Sequence, residues 1–162
     1  MDGQLKAGTF LTSESSNKYK VNALLGAGGQ GEVYDVECGG KHYALKWYFK
    51  HMATKSQKEI LDNLITRGAP DDSFLWPQDL IFKGYGESFG YIMPLRPKNF
   101  KSIVDMMKRR AEPSFRTLCK AAYNLTNGYQ KLHTMGYSCG KLLTGINTHL
   151  AIPGYFVRQY VL

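Results

Sequence analysis

Four glycines within six residues are the first feature of this sequence that could support chemistry. Gly26, Gly28 and Gly31 have the spacing G-x-G-x-x-G, and Gly29 lies between them. Glycine lets the backbone approach a ligand closely, and backbone N–H groups in such turns bind anions such as phosphate. Lys46, further along the chain, could bring a positive charge to the same anion. A glycine-rich turn with a purely structural role is the alternative.

The residues around the glycines predict a β-hairpin. Val21 and Leu24 precede the turn, while Val33 and Val36 follow it with the composition of a strand. A helix would have to follow directly in a Rossmann or P-loop site, and no helical pattern does. The sequence therefore predicts three antiparallel strands at about Tyr19–Leu25, Glu32–Glu37 and His42–Tyr48.

The third predicted strand places Lys46 beside a small residue. Because side chains alternate along a strand, Ala44 and Lys46 share one face, and Tyr43, Leu45 and Trp47 share the other. A lysine on the same face as alanine suits a ligand whose flat ring lies over the alanine. A solvent-facing lysine on an edge strand is the alternative interpretation.

The order of a G-x-G-x-x-G-x-V hairpin followed by Ala44-Leu45-Lys46 resembles the protein-kinase family, and the serine/threonine kinases in particular. The resemblance implies an α+β fold: a five-stranded antiparallel sheet with one helix, followed by the first helices of an incomplete large lobe. It implies a small lobe at 18–96 and the start of the large lobe at 97–138. The polar residues 1–17 are predicted to be a flexible lead-in, and residues 139–162, where the resemblance is absent, are predicted to be a divergent tail. ATP is the implied cofactor.

The resemblance also implies roles for individual residues. The glycines would cover the phosphates, Lys46 would reach them, and Glu59 would pair with Lys46 from the helix predicted between Thr54 and Thr66. A surface glutamate is the alternative for Glu59. The adenine would lie against apolar side chains and the hinge that follows the sheet, namely Leu25, Val33, Ala44, Met93, Pro94 and Arg96.

The prolines of the hinge decide its register. In the family, one hinge residue offers its carbonyl to adenine, and the residue two positions later offers its N–H. With Met93 as gatekeeper, Pro94 gives the carbonyl and Arg96 gives the N–H. A shift by one residue would require an N–H from Pro97, which has none.

The resemblance ends near Ser138, after helices predicted at Phe100–Arg110 and Phe115–His133. Aligned from Leu132-His133, Lys141 stands where the family has its catalytic aspartate, and Asn147 misses the asparagine position by one residue. No D-F-G follows, and residues 113–162 contain no Asp or Glu. Magnesium and the catalytic base both require carboxylates, so we assign no catalytic residue and no metal ligand. The sequence leaves open whether the chain is an enzyme.

Composition limits the remaining function classes. The 162 residues carry a net charge of +8, but the charge is scattered, and its densest point at 108–110 ends a predicted helix. Nucleic acid is therefore disfavoured as a partner. The 3 cysteines show no metal-ligand spacing, and no apolar run has transmembrane length. We expect a cytoplasmic protein with a nucleotide partner and no membrane partner.

Three hypotheses remain. The chain is a truncated or frame-shifted kinase that keeps the nucleotide-binding parts, a pseudokinase-type interaction module whose incomplete large lobe is covered by a protein partner, or an unrelated basic nucleic-acid-binding protein. ATP-dependent thermal stabilisation would separate the first two from the third. The reading frames beyond codon 138 would separate the first from the second.

Overall fold

A computed structural model describes residues 3–83, 88–97, 101–137, 149–152 and 155–158. The chain divides into two compact units, Met1–Gly68 with Trp76–Leu95, and Ala69–Leu75 with Arg96–Leu162. The segment aligned with the kinase catalytic loop, including Cys139, Lys141 and Asn147, lies outside the described residues.

The first unit is built on a six-stranded antiparallel sheet in the order β1-β2-β3-β4-β6-β5. The three strands predicted around the glycines are present, and two further strands follow the helix. The strands are β1 (Phe10–Thr12), β2 (Lys18–Gly28), β3 (Gly31–Cys38), β4 (Lys41–Tyr48), β5 (Asp79–Phe82) and β6 (Phe89–Pro94).

The sixth strand corrects the predicted count of five. β1 lies in the segment predicted as a flexible lead-in, and it pairs with β2. Leu5 and Leu11 of the same segment are both 4% exposed. This strand is only three residues long, and its pairing with β2 and the burial of Leu11 stabilise it. The polar run from Thr12 to Asn17 therefore obscured a strand that depends on tertiary contacts.

The two edges of the sheet meet through β1 and β5. Ser13 forms an isolated bridge with Ile81, and the backbone N–H of Glu14 donates to the carbonyl of Leu80 at 2.9 Å. The sheet thus curls around one apolar core, whose buried members are Leu5, Leu11, Tyr19, Val21, Tyr34, Val36, Leu45, Trp47, Ile81 and Ile92. Burying this apolar surface is the main stabilising contribution to the unit.

The helix α1 (Lys55–Arg67) lies within one residue of the predicted span Thr54–Thr66. The Thr54 hydroxyl accepts the N–H of Gln57 at 3.2 Å, and Gly68, with φ of 73°, ends the helix. Leu61 and Leu64 are buried. The Trp76 indole N–H donates to the Leu64 carbonyl at 2.8 Å, which fixes the segment after the helix to its last turn.

The second unit contains a long helix and a small sheet. Its elements are β7 (Lys101–Ser102), α2 (Ile103–Met107), α3 (Phe115–Thr134), β8 (His149–Ile152) and β9 (Tyr155–Arg158). β9 pairs antiparallel with β8 and parallel with β7. The residues predicted as a divergent tail therefore contribute two strands. Asp71 forms an ion pair with Lys131 on α3.

Neither a metal cluster nor a membrane span was found where the chain is described. No group of His, Cys, Asp or Glu in these ranges could hold a metal ion. None of the helices in the described ranges is both long and apolar enough to cross a membrane.

Candidate functional site

The glycine stretch forms the tight end of the β2–β3 hairpin. Gly28 pairs with Gly31, which leaves Gly29 and Gln30 as a two-residue turn. Two pairs further from the tip, Gly26 pairs with Val33. A register irregularity lies between Leu24 and Gly26, and Leu25 at this irregularity is 54% exposed. The hairpin therefore presents a short run of backbone without side chains.

The four glycines do not have the same structural reason for being glycine. A Cβ on Gly31 would lie 2.9 Å from both the Trp47 carbonyl carbon and the Tyr48 Cα, so the packing of β3 on β4 requires glycine there. A Cβ on Gly26, Gly28 or Gly29 would meet no atom within 4 Å, and none of the three has a positive φ. The fold gives no reason for these three glycines, and the space beside them is open.

The sheet register places the other predicted residues on one face. Val33 pairs with Lys46, and Lys46 pairs with Tyr91. In the next row Ala44 pairs with Met93. Directly paired residues, and residues two apart on a strand, share a face, so these five side chains lie on the same side of the sheet. The core residues Leu45 and Trp47 lie on the other side, as the sequence predicts.

Lys46 lies in a dry environment. It is 5% exposed, and its neighbours Ala44 and Met93 are 3% exposed. Burial raises the pKa of Tyr91, which faces Lys46 in the register, well above its ordinary value. Burial also raises the pKa of Tyr48, although the hydrogen bond from Gln57 acts in the opposite direction. Little water reaches this face, so electrostatic interactions there are strong.

Glu59 lies on α1 with its side chain 64% exposed, and its carboxylate is 3.9 Å from the Lys55 ammonium. This is the ordinary i, i+4 pair of a solvated helix surface. The pairing of Glu59 with Lys46 stays a prediction.

The hinge residues are divided between the two units. Pro94 is the last residue of β6 and pairs with Tyr43, whereas Arg96 is exposed and belongs to the second unit. Met93 is buried, and its assignment as gatekeeper stays a prediction. The assignment of the Pro94 carbonyl and the Arg96 N–H to adenine stays a prediction.

A cavity of about 300 Å³ lies elsewhere in the first unit. Because Leu5 and Trp47 belong to the core cluster, this cavity adjoins the core side of the sheet and not the face that carries Lys46. Its lining residues are Gln4, Leu5, Trp47, Lys50, Lys83 and Ser88.

Two residues that the sequence analysis did not select also lie at the glycine hairpin. Glu32 is 8% exposed and Tyr34 is 1% exposed, and both hydrogen-bond to the backbone of the N-terminal segment. An acidic residue directly after the last glycine was the available signal. Glu32 and Tyr34 are two residues apart on β3, so both side chains lie on the core side of the sheet. A carboxylate buried there requires hydrogen-bond donors.

Solved structures with a similar backbone identify the fold. The PknI kinase domain of Mycobacterium tuberculosis matches with a TM-score of 0.63 at 18% identity, over 98% of this chain and 63% of that chain. The fold is protein-kinase-like. A double mutant of the same domain matches with a TM-score of 0.66 at 18% identity, over 97% of this chain and 63% of that chain.

A second kinase gives a more limited match. Vaccinia related kinase 3 matches with a TM-score of 0.53 at 17% identity, over 80% of this chain and 42% of that chain. This chain therefore spans between 42% and 64% of the kinase chains that it resembles. No protein-family model and no curated protein matches the sequence.

The similarity to PknI extends beyond the residues that resemble kinases in sequence. The sequence resemblance covers about residues 18–138, whereas the structural match covers 98% of the chain. The matched span therefore includes residues on both sides of that stretch.

Proposed function

We propose that this chain is a kinase-like domain that binds ATP on the face of its first sheet that carries Lys46. The observation that carries the proposal is the contrast among the glycines. Gly26, Gly28 and Gly29 adjoin open space and have no structural requirement for glycine, whereas Gly31 does. A ligand that approaches the backbone closely would explain why side chains are missing at these positions.

The proposed phosphate contacts combine backbone dipoles with one charge. The N–H groups of Gly28, Gly29 and Gly31 would donate to phosphate oxygens, and the Lys46 ammonium would reach them from the sheet. Lys46 shares its face with Val33, which pairs with Gly26 at the base of the turn. A charge-assisted hydrogen bond is stronger in a dry site than in water.

The proposed adenine contacts are apolar. Val33, Ala44 and Met93 lie in adjacent strands on one face, and the flat ring would lie over Ala44, the smallest of the three side chains. Leu25, half-exposed at the hairpin, would cover the ring from its own strand. The backbone of Pro94 and Arg96 would hold the adenine edge.

We further propose that this polypeptide does not transfer phosphate on its own. Phosphoryl transfer needs metal and base carboxylates besides the glycine turn and lysine. Residues 113–162 contain no Asp or Glu, and the last carboxylates of the chain are Asp105 and Glu112. Lys141, in the place of the catalytic aspartate, would be cationic near neutral pH and could not accept a proton.

The binding proposal is tested by titrating ATP, with and without magnesium, into the unaltered protein and into Lys46→Met in a calorimeter. Methionine keeps the apolar stem of the lysine and removes the charge. We expect ATP affinity to fall at least about tenfold, since a hydrogen bond to a charged group contributes about 1.5–3 kcal/mol.

Lys20→Met is the matched control, because Lys20 is an exposed lysine on β2 of the same sheet. We expect the control to bind ATP as the unaltered protein does. Equal ATP affinity in Lys46→Met and Lys20→Met would contradict the site. The free energy of unfolding, measured in urea for each variant, separates loss of the ligand contact from loss of the fold.

A protein-interaction module is the second candidate function, and exposed apolar side chains on α3 favour it. Phe115 is 81% exposed, Tyr123 is 71% exposed and Leu118 is 38% exposed. Apolar side chains gathered on one helix are typical of surfaces that bind another protein. Concentration-dependent association of the purified chain, reduced by Phe115→Ser with Tyr123→Ser, would support this role, and a monomer at all concentrations would count against self-association.

The third hypothesis, nucleic-acid binding, rests only on the net charge of +8. Binding to duplex DNA or RNA at physiological salt, with a steep dependence on salt concentration, would favour it.

A further inference from the structure

The N-terminal segment makes direct contacts with the base of the glycine hairpin. The backbone N–H of Gln4 donates to Glu32 Oε2 at 2.9 Å, and the backbone N–H of Leu5 donates to the Tyr34 hydroxyl at 3.0 Å. The Tyr34 hydroxyl in turn donates to Glu32 Oε2. We call residues 3–5 the N-terminal clamp.

All the groups of this network are buried or partly buried. Tyr34 is 1% exposed, Leu5 is 4% exposed and Glu32 is 8% exposed. A buried carboxylate is costly unless donors surround it, so Glu32 depends on the N–H of Gln4 and on the Tyr34 hydroxyl. Burial, the largest cause, and the hydrogen bond to Glu32 raise the pKa of Tyr34 to about 12. The hydrogen bond from the Leu5 backbone acts in the opposite direction. The phenol therefore stays protonated near neutral pH.

The clamp fits Tyr34 closely. A Cβ on Gly3 would overlap the Tyr34 hydroxyl and lie 3.1 Å from Tyr34 Cζ. Tyr34 has little room to move away, because it is packed in the core cluster with its hydroxyl bonded on two sides. Position 3 therefore admits glycine and no larger residue while the clamp is in place.

Glu32 connects the clamp to the glycine turn. It follows Gly31 directly and pairs with Trp47, while Gly31 pairs with Tyr48. Gly31 cannot shift toward β4 because the Trp47 backbone lies against it. Contacts from β4 on one side and from the clamp on the other thus hold the point where the turn enters β3.

We propose that the N-terminal clamp is a positioning element for the glycine turn: its contacts with Glu32 and Tyr34 hold the turn, and its release loosens the turn and weakens ATP binding. The second half of this statement rests on the proposed function. The first half concerns the ligand-free protein and stands apart from it.

Gly3→Ala is the most selective perturbation, because it displaces the clamp and leaves Glu32 and Tyr34 unchanged. Tyr34→Phe is the second variant, since it removes the hydroxyl that links Leu5 to Glu32. Lys6→Ala, an exposed change in the same segment, is the control for Gly3→Ala. Tyr19→Phe, a buried tyrosine of the same core cluster, is the control for Tyr34→Phe.

The first measurement is amide hydrogen exchange of the ligand-free protein over residues 24–36, with global stability measured separately in urea. We expect exchange of the turn to accelerate in Gly3→Ala and Tyr34→Phe by more than any change in global stability explains. Both controls should exchange as the unaltered protein does. Unchanged exchange at the turn, with faster exchange confined to residues 3–9, would overturn the proposal.

The second measurement is the ATP dissociation constant. We expect an increase of about three- to tenfold in Gly3→Ala and Tyr34→Phe, less than in Lys46→Met, because the clamp positions the turn and makes no contact with the ligand itself. Faster exchange of the turn with unchanged ATP affinity would overturn the link to binding. If the unaltered protein binds no ATP, the proposed function fails, and the exchange comparison still decides whether the clamp holds the turn.

Discussion

Substituting the glycines one at a time by alanine separates the ones that the fold needs from the ones that a ligand needs. At Gly28 and Gly29 the added Cβ meets no atom within 4 Å, and neither residue has a positive φ. Alanine restricts the unfolded chain more than glycine does. We therefore expect Gly28→Ala and Gly29→Ala each to raise the free energy of unfolding by about 0.4–1 kcal/mol.

Gly31→Ala should have the opposite effect on stability. Its Cβ would lie 2.9 Å from the Trp47 carbonyl carbon and from the Tyr48 Cα, and backbone atoms in the middle of a sheet cannot move aside as a flexible side chain can. Forcing an extra carbon into a packed position costs about 1–3 kcal/mol. We expect Gly31→Ala to lower the free energy of unfolding by that amount.

Gly28→Ala and Gly29→Ala, the variants expected to be more stable, should bind ATP more weakly than the unaltered protein. In Gly28→Ala and Gly29→Ala the new methyl group occupies the open space where phosphate oxygens would lie. Overlap that costs about 1.4 kcal/mol weakens binding about tenfold, and we expect that loss of ATP affinity in these more stable variants.

Urea unfolding and calorimetric titration of ATP, applied to the three variants and the unaltered protein, test these predictions of stability and affinity. A loss of stability greater than about 1 kcal/mol in Gly28→Ala would refute the structural reasoning, since a methyl group that meets no other atom should not destabilise the fold. Unchanged stability together with unchanged ATP affinity in both Gly28→Ala and Gly29→Ala would refute the phosphate site.

Three further predictions concern pH, charge and catalysis. Partial burial acts to raise the pKa of Asp71, but hydrogen bonds from Lys131 and Ser73 outweigh it and lower the pKa below 3.8. The ionised Asp71 therefore contributes to the stability of the fold above pH 3.8, and this contribution is lost as the pH falls through the lower pKa of the folded protein. Asp71→Asn should cost up to about 1 kcal/mol at pH 7, because the pair is partly exposed. Urea unfolding at about pH 7 and at successively lower pH should show this difference shrink as Asp71 becomes protonated. The pKa of Tyr34 is raised from 10.0 to about 12, so its protonated phenol stabilises the fold fully below pH 10 and progressively less as pH rises toward 12. The stability difference between unaltered protein and Tyr34→Phe should therefore shrink between those values, and a constant difference would contradict the assignment. A radiolabelled ATP transfer assay with generic substrates should show no turnover above background, and turnover that Lys46→Met abolishes would contradict the claim.

Local patterns predict much of the first unit. Alternation along β4 places Lys46 and Ala44 opposite Leu45 and Trp47, because a strand has only two faces and one of them is clearly apolar. Thr54 and Gly68 mark the ends of α1, since helix ends need a side-chain acceptor and a residue with positive φ. Such features depend on neighbours within a few residues of the chain.

Long-range contacts account for what the sequence could not show. β1 is stabilised by pairing with β2, and the bridge between Ser13 and Ile81 joins residues far apart in the chain. Helical spacing allows Glu59 to approach the sheet, but the packing of α1 leaves it 64% exposed, and no local pattern contains that information. The contact between Glu32 and the N-terminal clamp also joins residues far apart in the chain, so no local pattern predicts it.

The two faces of the curled sheet explain why a candidate binding site can be so lightly constrained by the fold. The core side carries the stability of the first unit, because its apolar residues pack against one another and the N-terminal segment covers them. The opposite side carries the buried residues Lys46 and Ala44, and the open glycines lie at the end of the hairpin. Substitutions at Gly28 or Gly29 should therefore change affinity without loss of stability. Gly31 lies against the β4 backbone and Glu32 contacts the N-terminal clamp, so substitutions at these two positions should change affinity and stability together.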